Sequence, residues 1–150
     1  MNAAKRVSVE MARDFEKQLS AIASAGDFAE RSEDFTSSWI ADGAGLEAVD
    51  AVLSFMEAHP EIEYGMPGAL VRFVERSSGK GYEERLLKSI SRRPTAHTIW
   101  MLNRLINGSG SPADRQEYIG VMRRAKESPT VDPAVAARID HFLSRLSPGE

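Results

Sequence analysis

Three histidines, His59, His97 and His141, are the side chains best suited to metal or proton chemistry, and their spacing supports neither. Each falls in a different helical segment, with no second histidine at a ligand spacing and no cysteine anywhere in the chain. His97 reads as a packed or capping residue at a helix start, and His141 as a helix-face residue. A serine nucleophile needs a base and an orienting group beside it, and no segment signals that arrangement. The run Gly108-Ser-Gly-Ser111 has the glycines of a phosphate cradle, but no strand precedes it and no Gly-Lys-Ser/Thr follows, so it reads as a loop. Glu83 and Glu84 are adjacent and therefore diverge on a helix instead of converging on a substrate. No metal, cofactor or catalytic activity is expected.

Charge is the stronger signal. Between Asp27 and Glu63 stand ten acidic residues against one basic residue, Arg31, whereas Tyr64 to Glu150 holds nine acidic and fourteen basic residues. Dense charge of one sign steers an oppositely charged partner. Arg92, Arg93, Arg123, Arg124 and Lys126 have the composition of a nucleic-acid patch, but the acidic block would repel a phosphate backbone, and no nucleic-acid partner is expected. With 150 residues, 42% apolar and 27% charged, the chain has the composition of one globular domain. The absence of cysteine excludes disulfides, and no apolar run reaches the roughly 18 residues of a membrane span. The opening residues MNAAKRVSVEMARDFEKQL carry charges every few positions, unlike a signal peptide. A cytoplasmic protein with no membrane partner is the expectation.

The elements that would carry these residues are helices. Val7, Met11, Phe15, Leu19 and Ile22 recur at steps of four and three and line one face. Phe28, Phe35, Trp39 and Ile40 predict a short second helix between Asp27 and Asp42, weakened by Ser32, Thr36, Ser37 and Ser38. Leu46, Val49, Val52, Leu53 and Met56 mark a third, ended by His59 and Pro60. Pro67 opens a fourth with Leu70, Val71, Phe73 and Val74 inward, and the loop from Ser77 to Gly81 has glycines for positive φ. A fifth runs from Tyr82 to Arg93, with Leu86, Leu87 and Ile90 inward. Thr95 then caps the most apolar segment, in which Ile99, Trp100, Met101, Leu102, Leu105 and Ile106 predict the central buried helix, ending at Asn107. Ser111-Pro-Ala-Asp114 opens a further helix with Tyr118, Ile119, Met122 and Ala125 inward. Asp132 and Pro133 open the last, with a stripe of Val135, Ile139, Phe142, Leu143 and Leu146. The fold class is therefore all-α: a single domain of seven to eight helices, arranged as a HEAT-like stack of α-hairpins or as an irregular helical bundle.

Two segments, Tyr64-Gly-Met-Pro-Gly-Ala-Leu-Val-Arg-Phe-Val-Glu75 and Arg93-Pro-Thr-Ala-His-Thr-Ile-Trp-Met-Leu-Asn-Arg-Leu-Ile-Asn107, resemble immunity proteins of bacterial polymorphic toxin systems, including contact-dependent growth inhibition. The resemblance covers about the middle third of the chain and rests on packing residues. It implies a small helical, non-catalytic inhibitor that binds a cognate toxin domain, often a nuclease, and blocks its active site or substrate approach. It assigns no toxin-contacting residue. An acidic surface suits the basic cleft of a nuclease, so the partner contacts are expected in the acidic block. Asp34, Asp42, Glu61 and Glu63 would form the rim, and Phe35 and Trp39 the desolvated centre. Trp39 is by its type either a core anchor or an interface anchor. The alternative function is a helical scaffold or adaptor for protein–protein interaction.

Overall fold

A computed structural model of the chain describes residues 14–23, 27–62, 64 and 68–146, which form eight helices and no strand. The helices are α1 (described over residues 14–22), α2 (Phe28–Ala41), α3 (Leu46–Ala58), α4 (Ala69–Glu75), α5 (Tyr82–Arg92), α6 (Ala96–Gly108), α7 (Pro112–Ala125) and α8 (Pro133–Ser144). They fall into two compact units, Met1–Arg85 and Leu86–Glu150, and the division lies inside α5. By sequence the first unit has sixteen acidic and nine basic residues, for a net charge of −7, and the second has six and ten, for +4. The electrical asymmetry of the chain thus follows its division into units.

In the first unit α1 buries Phe15, Leu19 and Ile22, as their spacing requires; Val7 and Met11 lie outside the described residues. Serine and threonine do not break α2, because their hydroxyls bond back into the helix. Ser32 Oγ donates to the Phe28 carbonyl at 2.7 Å and Thr36 Oγ1 to the Glu33 carbonyl at 3.1 Å. The buried stripe of α2 is narrow: Phe28, Ser32, Thr36 and Trp39. Two aromatic clusters hold its ends. Around Trp39 stand Phe15 of α1 and Phe73 of α4, both edge-on at 5.0 and 5.3 Å between centroids, and Phe35 stacked at 6.3 Å. Around Phe28 stand Phe55 of α3, stacked at 6.1 Å, and Tyr64, edge-on at 5.9 Å. Helix α4 packs on both α2 and α3.

Helix α3 buries seven of its thirteen residues, from Ala48 to Met56, and exceeds α6, which buries six of thirteen. The expectation that α6 is the most buried element is therefore corrected. Trp100 and Leu105 of α6 are only half-buried. Trp100 shares its side of the helix with Asn103, Arg104 and Asn107, at offsets of three, four and seven, and the Arg104 guanidinium lies over its ring at 5.1 Å. Apolar character all round the segment does not mean that neighbours cover it all round.

Within the second unit α6, α7 and α8 each pack on the other two, the mutual contact of an irregular bundle and not of a linear run of hairpins. Start signals in this unit hold as read, whereas in the first unit α4 begins at Ala69 after an extended Gly68, and Pro67, expected to open it, lies outside the described residues. Thr95 and Thr98 form a reciprocal capping box, with Thr98 N–H donating to Thr95 Oγ1 and Thr95 N–H to Thr98 Oγ1, both at 3.1 Å. Ser111 Oγ accepts from Asp114 N–H at 3.2 Å, with Pro112 at the first position of α7. The apolar stripe of α8 is shallower than expected: Val135 and Ile139 are buried, whereas Phe142, Leu143 and Leu146 are half-buried.

Candidate protein-interaction site

Helix α2 has a broad exposed side because its buried stripe is so narrow. Opposite Phe28, Ser32 and Trp39, the 3.6-residue period places Glu30, Asp34, Ser37 and Ala41, all exposed. Glu30 and Asp34 are one turn apart, and Asp42 caps the C-terminal end, roughly 18 Å along the axis from Glu30 at 1.5 Å per residue. The carboxylates of Glu30, Asp34 and Asp42 have no hydrogen-bond or ion-pair partner among the described residues. Other acids of the block are engaged. Asp27 pairs with Arg31 at 3.0 Å, Asp50 with Arg85 at 2.9 Å, and Glu33 with Arg72 of α4. Glu47 Oε1 accepts the Gly45 N–H at 2.9 Å, before the first turn of α3. Glu30 and Asp34 thus leave free negative charge on one face of α2, and Asp42 adds to it at the helix end.

Of the six expected contact residues, Asp34 lies on this exposed side of α2, whereas Asp42 is exposed at the C-terminal cap, nearer in angle to Phe28 than to Glu30. Glu61 is exposed in the turn after α3, 3.5 Å from His59 Nδ1, and no described contact brings it to α2. Glu63 lies outside the described residues. Phe35 is half-buried, stacked on Trp39. Trp39 is corrected: it is 3% exposed, and its Nε1–H donates to Gln18 Oε1 at 3.0 Å, so it anchors the core and offers a partner no surface. Its position decides this, since it stands in register with Phe28 and Ser32 on the side that meets α1 and α4. Glu30 was not singled out by the sequence reading. The signal was present in its offset of four from Asp34, on the side away from the aromatics.

Beside this face, between α2 and the start of α4, runs a groove of about 370 Å³. Its lining is largely apolar: Phe28, Tyr64, Ala69 and Leu70 are buried beneath it and Ala29 is exposed at its edge. Tyr64 is held by its hydroxyl, which donates to the His59 carbonyl at 2.9 Å, and burial is the main cause holding that phenol in its protonated form. The Ser32 hydroxyl at the groove is satisfied within α2. Its polar lining includes Glu30 and the Glu33–Arg72 ion pair that joins α2 to α4. No sequence signal could have located this groove, because it exists only where α4 meets α2.

The histidines remain apart from any such site. His97 is buried in α6, His59 ends α3 with its ring 4.5 Å from that of Phe55, and His141 is exposed beside Phe142 on α8. Among the described residues no group of three histidines or acids is placed to hold a metal ion, and no helix is long and apolar enough to cross a membrane. No family model matches the chain, and no curated protein or solved structure matches it either.

Proposed function

We propose that the protein is an immunity protein that binds a cognate toxin domain and neutralises it by covering a basic active site or substrate cleft, with no catalytic activity of its own. The observation that carries this reading is the exposed side of α2, where Glu30 and Asp34 stand without a partner among the described residues, with Asp42 exposed at the helix end, on the unit of net charge −7. Leaving like charges unpaired along one face costs stability through self-repulsion and favours association with a basic surface. The resemblance of Tyr64–Glu75 and Arg93–Asn107 to immunity proteins supports the same reading.

The direct test is co-expression with the toxin domain encoded beside this gene, which should restore growth; equal killing with and without the protein refutes the reading. Stopped-flow binding then examines the face. Reversing Asp34 and Asp42 to lysine should slow association about tenfold or more at low salt and flatten its salt dependence, with an unchanged melting temperature. Unchanged association in that variant moves the interface elsewhere.

A further inference from the structure

The acidic face supplies steering, but rim charges alone give little of the desolvated contact that slows dissociation, and the residue expected to supply it, Trp39, is in the core. The groove beside the face offers the converse arrangement, a socket instead of a knob. Its volume of about 370 Å³ is near the lower end of the roughly 300–1,000 Å³ typical of ligand pockets, which suits one side chain better than a cofactor. Its apolar lining is Phe28, Tyr64, Ala69 and Leu70, of which Phe28 and Ala69 keep an edge open at 9% exposure each, beside the exposed Ala29. In its polar lining the Glu33 charge is taken up by Arg72, whereas the Glu30 carboxylate has no partner among the described residues, and Asp34 follows one turn on.

We infer that this groove receives one large apolar side chain of the partner protein, carried on a segment with lysine or arginine next to it. The apolar group would fill the socket between α2 and α4 while the adjacent cation meets Glu30 and Asp34. Charge complementarity selects this occupant. An acidic segment would meet the unpaired carboxylates of α2, and a neutral apolar one would leave them uncompensated. The inference rests on reading the exposed side of α2 as the partner-binding face, and it adds the chemistry of the partner's anchor.

The probe is a peptide, so the test does not depend on the toxin. Acetyl-Lys-Trp-Lys-amide titrated into the isotope-labelled protein should move the amide signals of Ala29, Glu30, Ala69 and Leu70 with saturation. Acetyl-Glu-Trp-Glu-amide should move none of them, and acetyl-Lys-Ala-Lys-amide should at most disturb Glu30 and Asp34. Ala29 is exposed, so Ala29→Trp or the smaller plug Ala29→Leu can fill the groove without touching the core. Either variant, with its melting temperature retained, should weaken the Lys-Trp-Lys peptide by about tenfold or more, as loss of a central anchor does. Shifts elsewhere, no shifts, equal binding of the acidic peptide, or full binding by both plugged variants would overturn the inference. The outcomes stay separable from those of the immunity reading. A protein that protects cells while its plugged variants bind the toxin as tightly keeps its function and loses the socket. A protein that binds the basic peptide in the groove but protects no cell keeps the socket and loses the immunity role.

Discussion

Replacing Trp39 with alanine separates a core tryptophan from an interface tryptophan, because the two roles predict different observables. The side chain is 3% exposed. A tryptophan buries about 200 Å², which at about 25 cal/mol/Å² corresponds to about 5 kcal/mol as an upper figure. Alanine recovers a small part, and incomplete collapse of the cavity among Phe15, Phe35 and Phe73 adds to the loss, so a cost of about 3 to 5 kcal/mol is expected. Trp39→Phe keeps a ring among those three and loses the Nε1–H bond to Gln18. Gln18 is half-buried and water can take up its amide, so that change should cost about 1 to 2 kcal/mol. Urea melts followed by far-ultraviolet circular dichroism read both variants. The parent, phenylalanine and alanine forms should fall in that order of stability. An alanine variant within about 1 kcal/mol of the parent that dissociates faster from the partner would show Trp39 to be an interface residue and refute its placement.

The two apolar residues of α6 should likewise part company: Leu102→Ala, fully buried, should cost about 2 to 5 kcal/mol, whereas half-buried Trp100→Ala should cost less than about 2 kcal/mol in the same melts. At Gly81, φ is +113° and an added Cβ would stand 3.1 Å from Leu46 Cδ1, whereas Gly79, at φ +78°, has open space. Gly81→Ala should therefore cost about 2 kcal/mol or more against about 1 for Gly79→Ala, and equal costs would show that the contact with Leu46 is immaterial. Burial, and secondarily the charge of Glu57, raise the Glu16 carboxyl above its ordinary value. The native state therefore holds that proton more tightly than the unfolded chain does. The resulting stability is fully present below the unfolded value of 4.5 and is lost as pH rises through the raised native one. Glu16→Gln should melt above the parent at pH 7 and level with it near about pH 4, and a lower melting temperature at pH 7 would reverse the sign.

Helix boundaries were legible because their causes lie within a few residues. Thr95 with Thr98, Ser111 with Asp114 and Pro112, Pro60 after α3 and Pro133 at the start of α8 act through hydrogen bonds and steric limits local to the chain. The clustering of acidic residues is equally a property of the sequence. Which apolar residues face a neighbour is not. Trp39 and Trp100 both stand in helices, yet Trp39 meets rings from α1 and α4 and disappears, while Trp100 turns to the side of Asn103 and Asn107 and stays half-covered. Phe142 and Leu143 repeat the lesson on α8, because burial depends on the surface another helix presents and not on the periodicity of one. The free carboxylates were decided the same way: Arg72 and Arg85, distant in the chain, take up Glu33 and Asp50, and Glu30, Asp34 and Asp42 are left over. The groove between α2 and α4 depends wholly on tertiary structure, since its lining joins residues about forty positions apart that only helix packing brings together.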